Sequence, residues 1–252
     1  MDGLHTETHG AAGGRRLVLL HGFTQTSVSW APVVDALAGD PEVVTVDLPG
    51  HGRSGAVHLD LAATAAAVAE VGGSATYVGY SMGGRVALRL ALDRPDLVRR
   101  LVLIGATAGI DDAAGRAARR AADAERAQAI ERQGVAAFLE GWLAQPLFAG
   151  LHPRPEDLAA RRANTAEGLA SSLRLSGTGA MDPSWWTELP HLGRRGTSVA
   201  VVAGERDQKF TALGRRLVDD IGPTASLELV PGTGHACHLE DPTAVAALLR
   251  RR

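Results

Sequence analysis

Val78-Gly79-Tyr80-Ser81-Met82-Gly83-Gly84-Arg85 is the stretch on which the fold turns. Residues 75–78 form a short β-prone run, and residues 85–92 are rich in Ala, Leu and Arg, which favour helix. Between them lies Gly-x-Ser-x-Gly, a pattern that puts the serine on a sharp strand-to-helix turn. Such a turn strains the serine backbone and exposes its hydroxyl. Gly79 and Gly83 leave the room so tight a turn needs. The helix that follows points free N–H groups toward the serine, where they favour negative charge. The same residues also read as a Gly-rich turn with an incidental serine, so the rest of the chain has to discriminate.

Working outward, residues 17–20 and 43–46 are continuous apolar runs, as expected of strands buried on both faces. The first ends in His21-Gly22-Phe23-Thr24. The second ends in Asp47-Leu48-Pro49-Gly50-His51-Gly52-Arg53-Ser54, a loop dense in breakers. An edge strand is read over residues 4–8, helices over 30–37 and 59–71, and a further strand over 101–105. Strand alternating with helix predicts a parallel sheet covered on both faces. Such sheets place their sites at the carboxyl ends of the strands. Over residues 107–190 no strand is expected, and helices are read over 113–133, 135–143, 155–164 and 166–175. The earlier rhythm returns at 197–203, 210–221, 225–230 and 243–252. The expected architecture is α/β: a mostly parallel central sheet flanked by helices, with residues 1–106 and 191–252 as core and 107–190 inserted as a helical cap.

Composition narrows the function. Hydrophobic residues make up 45% of the 252, enough for a sizeable core. A net charge of −2 lacks the basic footprint of a nucleic-acid binder. The single cysteine, Cys237, leaves no disulfide framework and no thiolate metal cluster, which fits a reducing compartment. No apolar run reaches the roughly 18 residues of a membrane span. The first residues lack the basic and apolar regions of a signal peptide. A cytoplasmic protein is the expectation, with no metal, no nucleic acid and no membrane span. Lys209 is the only lysine, so a lone arginine is informative by its placement alone.

A serine hydroxyl is a poor nucleophile or base until a histidine takes its proton and a carboxylate holds that histidine. The turn at Ser81 therefore predicts an acid after a late strand and a histidine after the last one. Asp207 and His235 meet both expectations. Asp207 also reads as the cap of a helix starting near Phe210, and His235 as a surface-loop histidine. Glu205 is the second choice of acid; Asp182, Asp241 and His238 are weaker competitors. An oxyanion hole would use the N–H of Met82 and the N–H of Phe23, with His21 shaping the loop rather than reacting. Arg85 lies one helical turn after Ser81, within reach of an anion beside it, although it also reads as a surface arginine. Arg116, Arg119, Arg120 and Asp123 share helical spacing, and Arg161 with Arg162 forms a second pair. Such runs usually mean a solvated face. Trp142 and Phe148 read more readily as core than as ligand contacts.

Taken together, the turn at Ser81, the His21-Gly22-Phe23 loop, the Asp47–Ser54 loop and the late Asp and His resemble the α/β-hydrolase fold family over essentially the whole chain. More narrowly, Gly79-Tyr80-Ser81-Met82-Gly83-Gly84-Arg85, Gln145-Pro146-Leu147-Phe148 and Gly204-Glu205-Arg206-Asp207-Gln208-Lys209-Phe210 resemble the 2-succinyl-6-hydroxy-2,4-cyclohexadiene-1-carboxylate (SHCHC) synthases of menaquinone biosynthesis. That resemblance implies a cofactor-free lyase that eliminates pyruvate from a polycarboxylate enolpyruvyl cyclohexene precursor. It implies that Ser81, activated by His235 and Asp207, abstracts a proton. It matches Arg85, Arg119 and Arg162 to carboxylate-binding arginines and adds Tyr80, Trp142 and Phe148 as substrate contacts. Two departures stand out: Thr24-Gln25-Thr26-Ser27 follows Phe23 where a glycine is expected, and Cys237-His238 follows the histidine. A serine hydrolase of esters or C–C bonds is the alternative reading, and a non-catalytic binding protein the third.

Overall fold

Among the described residues seven strands make the sheet, in the order β1-β3-β2-β4-β5-β6-β7. The computed structural model describes residues 3–11, 13–39 and 41–251. In chain order the strands are β1 (Thr6–His9), β2 (Arg16–Leu20), β3 (Glu42–Val46), β4 (Ala75–Tyr80), β5 (Val98–Ile104), β6 (Val199–Gly204) and β7 (Ala225–Val230). Only β1 is antiparallel, pairing with β3 at one edge. The apolar runs read from the sequence fall in the middle of the sheet: β4 and β6 are buried along their whole length, and β2 along all but Arg16.

Alternation along the strands sorts the side chains into two layers. Val18, Leu20, Tyr77, Leu101, Leu103 and Val201 face α2 (Leu61–Gly72), α3 (Met82–Asp93) and α8 (Gln208–Ile221). Leu17, Leu19, Val78, Val102, Ile104 and Val202 face α1 (Ala31–Leu37), the short α9 (Cys237–Glu240) and α10 (Pro242–Arg250).

Between β5 and β6 the described chain adds no strand. It runs through α4 (Ala113–Leu143), α5 (Pro155–Arg162), α6 (Ala166–Ser176) and α7 (Pro190–Arg194). The two helices read over 113–133 and 135–143 meet end to end at Gly134, whose φ of 81° and ψ of 165° are not helical, so α4 is two helical arms joined by a kink. This backbone region is open essentially to glycine alone. Ala127, Ile130, Phe138, Leu169 and Leu173 give α4 and α6 a small core of their own. The end of the segment behaves differently. Met181, Trp185, Trp186, Leu189 and Leu192 join the main layer beneath α3 and α8. Residues 181–192 therefore pack as core, although the sequence pattern groups most of them with the inserted helices.

The bend offers a clean test, because a Cβ on Gly134 would meet nothing within 4 Å. Gly134→Ala pays only in backbone strain, about 1–3 kcal/mol. Urea denaturation should show a loss of that size, whereas an unchanged midpoint would mean that the bend does not need glycine.

Candidate active site

Each residue that the Ser81 motif led to stands at the carboxyl end of a parallel strand. Ser81 follows β4 with φ 51° and ψ −104°, a left-handed conformation that strains any side-chain-bearing residue. Packing holds it there. Ser81 N–H donates to the Ile104 carbonyl at 2.8 Å, and Gly83 N–H donates to the His21 carbonyl at 3.1 Å. A Cβ on Gly79 would strike the backbone of Gly83, and one on Gly83 would strike the Leu20 carbonyl.

Asp207 follows β6 and serves two partners. Its Oδ1 accepts the Phe210 N–H at 3.1 Å and so caps α8. Its Oδ2 accepts from His235 Nδ1 at 2.7 Å. A carboxylate only accepts, so the imidazole proton lies on Nδ1 and Nε2 is left as a base. Both side chains are buried. Ser81 and His235 line one cavity of about 280 Å³, with no hydrogen bond between them. In a site without substrate that bond is often long and tightens only in the reacting complex. The competing acids and histidine have other work. Glu205 accepts from Gly232 N–H, Asp182 pairs with Arg116 and Arg120, Asp241 caps α10, and His238 is fully buried against Tyr80 and Gln25.

Phe23 and Met82 also line the cavity. Among the described residues their N–H groups have no hydrogen-bond partner, as donors kept for an anion require. Two buried imidazoles build the wall beneath Phe23. His21 Nδ1 donates to the Gly22 carbonyl at 2.8 Å and its Nε2 accepts from Leu48 N–H at 3.0 Å. His51 Nδ1 donates to the Pro49 carbonyl at 3.0 Å and its Nε2 accepts from Thr24 N–H at 3.2 Å. Each ring uses one nitrogen as donor and one as acceptor, so each must be neutral. Burial, the largest cause, pushes His21 down to about 4 and His51 down to about 3.

Three arginines reach the cavity: Arg85, Arg119 and Arg161. Arg85 is buried rather than a surface side chain. Its Nη2 donates to the Ser176 carbonyl at 2.8 Å, and its Nε is buried without a partner. Burial first, then the nearby charge of Arg119, lowers it to about 10, against a smaller opposing pull from Asp123. Arg119 is held by Asp123 at 2.9 Å. Arg161, almost wholly buried, donates from Nε to Asp157 at 2.7 Å and from Nη1 to Thr24 Oγ1 at 2.9 Å; its Nη2 is buried without a partner.

Arg162, the arginine that the family resemblance selects, is exposed and lies outside the cavity lining. Adjacent helical residues differ by about 100° around the axis, so only one of the pair can face inward. On the inward face Arg161 pairs with Asp157, four residues before it, a burial that residue type alone does not signal.

The aromatic residues are both packing and lining. Phe23, Phe138, Trp142 and Phe148 form a continuous wall, with Trp142 5.2 Å from Phe23 and 5.8 Å from Phe148 between ring centroids. Tyr80 lines the cavity with its ring 5.2 Å from His235. Gln25, Lys209 and Phe210 line it too, and no residue-type pattern had marked Gln25. Among the described residues no cluster of three or more His, Cys, Asp or Glu is placed to hold a metal ion, and no helix is long and apolar enough to cross a membrane.

Residues 17–248 match the model of the alpha/beta hydrolase family. The chain belongs to that family. Within it, the chain is 34% identical to the 2-succinyl-6-hydroxy-2,4-cyclohexadiene-1-carboxylate synthase of Escherichia coli O1:K1 over 98% of its own length and 97% of that protein's. It is 31% identical to the protein PHYLLO, chloroplastic, of Arabidopsis thaliana over 95% of its own length, which spans 15% of that much longer chain. Among solved alpha/beta hydrolase structures it is similar to MenH from S. aureus, with a TM-score of 0.87 at 29% identity and coverage of 97% and 96%.

The neutral histidines make stability depend on pH. An unfolded imidazole titrates near 6.5, whereas His21 and His51 stay neutral in the fold down to about 4 and about 3. Between those values only the unfolded chain takes up the protons, so acid favours unfolding. Stability should fall as pH drops from about 6.5 toward 4, with a slope approaching about 1.4 kcal/mol per pH unit for each ring. Denaturation at stepped pH reads this slope, and His51→Gln should flatten it; stability constant from pH 7 to pH 5 would contradict the assignment.

Proposed function

We propose that this protein is a pyruvate-eliminating lyase of the SHCHC synthase type, with residues 107–190 serving as a cap over Ser81. The observation that carries this is the set of cations gathered around the serine. Arg85 is buried beside Arg119 and depressed by that burial, with no carboxylate bonded to it among the described residues. A desolvated guanidinium favours an anionic ligand, and its planar fork suits a carboxylate. Arg161, with its free Nη2, supplies another such contact. A substrate with several carboxylates uses all three, while a neutral ester uses none.

In this reading Asp207 holds the His235 ring with Nε2 toward the serine. Ser81 Oγ takes a proton from a ring carbon of the substrate and passes its own to Nε2. The electron pair of the broken C–H bond becomes a ring double bond as the C–O bond to the enolpyruvyl group breaks. Enolpyruvate leaves and takes up a proton on carbon to become pyruvate. Negative charge that develops on a substrate oxygen meets the N–H groups of Phe23 and Met82. Tyr80, Trp142 and Phe148 form the apolar sides against which the ring rests. No step calls on a metal or an organic cofactor, and a carboxylate small molecule is the expected partner. The same reading takes the enzyme to be cytoplasmic.

Incubation with the enolpyruvyl precursor and a coupled pyruvate assay tests this. Wild-type protein should release pyruvate, and Ser81→Ala should reduce turnover to near background; no release from the wild type overturns the reading. Arg85→Ala should lower kcat/KM by about 30- to 160-fold, as expected for loss of a charge-assisted pair of about 2–3 kcal/mol. Its melting temperature should hold or rise, since a desolvated charge is removed. Rapid turnover of short p-nitrophenyl esters that is indifferent to Arg85→Ala would favour a serine hydrolase instead.

A further inference from the structure

The loop after β2 adopts a backbone that its own sequence does not favour. Thr24 has φ 69°, in the left-handed region that β-branched residues rarely enter. Such a conformation persists only where its surroundings over-determine it. Here every polar atom of Thr24 is held. Its N–H donates to His51 Nε2 at 3.2 Å, its Oγ1 accepts from Arg161 Nη1 at 2.9 Å, and its carbonyl accepts from Asn164 Nδ2 at 2.9 Å.

His51 lies in the loop after β3, but the other two partners come from the helical segment between β5 and β6. Asn164 is the more telling. It is buried, and its Oδ1 accepts from Gly52 N–H at 2.7 Å. One amide therefore ties the loop after β2 to the loop after β3. Gln25 N–H donates to the Gly22 carbonyl at 3.1 Å, so Phe23 and Thr24 are the two central residues of a tight turn. Holding Thr24 left-handed keeps that turn closed, and the turn fixes the Gly22–Phe23 peptide plane in which the Phe23 N–H lies.

We propose that Asn164 is a positioning residue for the oxyanion site: the seating of the helical segment on the core holds Thr24 left-handed and so aims the Phe23 N–H into the cavity. This rests on the assignment of Phe23 N–H as an oxyanion donor made above. It turns the helical segment from a roof into a structural part of the anion site, because the left-handed residue at the centre of the donor turn is held from outside that turn.

Asn164→Asp is the probe. It keeps the shape and the acceptor for Gly52, and sets an oxygen against the Thr24 carbonyl. Two readouts are needed. The first is the rate at which an alkyl fluorophosphonate labels Ser81: the serine oxygen bonds to phosphorus, fluoride leaves, the proton passes to His235, and the phosphoryl oxygen occupies the oxyanion site. The second is pyruvate release from the enolpyruvyl precursor. The variant should label at least about tenfold more slowly, and kcat should fall similarly with KM within about threefold.

Adding Thr24→Gly supplies a rescue. Glycine takes φ 69° without a clamp, so the double variant should regain several-fold in labelling rate over Asn164→Asp alone. A purely structural asparagine would instead show additive losses. Equal labelling of wild type and Asn164→Asp, including no labelling of either, overturns the proposal, as does a double variant no faster than the single. Slower labelling of the variant together with no pyruvate from the wild type supports the positioning role and overturns only the proposed reaction.

Discussion

The approach of the first turn of α3 to the end of β2 is the constraint on which the site depends. Gly83 donates to the His21 carbonyl, and no side chain fits where Gly79 and Gly83 meet their neighbours. That contact forces the left-handed backbone of Ser81 and sets Met82 at the amino end of the helix. It also gives the N–H groups of Met82 and Phe23 one reference. Met82 hangs from the β4 side and Phe23 from the β2 side, and the Gly83–His21 bond joins the two loops that carry them. Asp207 and His235 are then brought in by β6 and β7, neighbours in the same parallel sheet.

Around that frame the molecule buries unusual polarity and neutralises it in two ways. His21, His51 and His238 stay uncharged because burial disfavours the imidazolium. The buried Arg161 keeps its charge and takes the Asp157 carboxylate, and the buried Asp123 takes the partly exposed Arg119. Arg85 does neither; it has a backbone carbonyl and an unpartnered Nε. A charge left this exposed to desolvation costs stability.

Much of this was legible in the chain because it is local. Apolar runs marked the central strands, and the Ser81 motif set the order in which acid and base had to follow. Gly134 punctuated α4 where the helix bends. Three things were not legible. The choice between Arg161 and Arg162 depends on helix phase to within a fraction of a turn, and a run of arginines in an Arg-rich chain does not fix it. The destination of Trp185, Trp186 and Leu189 depends on contacts with α3 and α8, distant in sequence. Thr24 occupies a glycine-like conformation because of partners about 140 residues away, so its residue type misdirects any local reading.

The bend at Gly134 divides α4 into two arms with separate attachments. The outer arm is tied at its start by Arg116 and Arg120 to Asp182, while the inner arm brings Phe138 and Trp142 against Phe23. A glycine with open space around it passes little torque from one arm to the other. The outer arm, which carries Arg119 to the cavity lining, and the inner arm, which carries the aromatic wall, therefore set the charged and the apolar sides of the cavity separately.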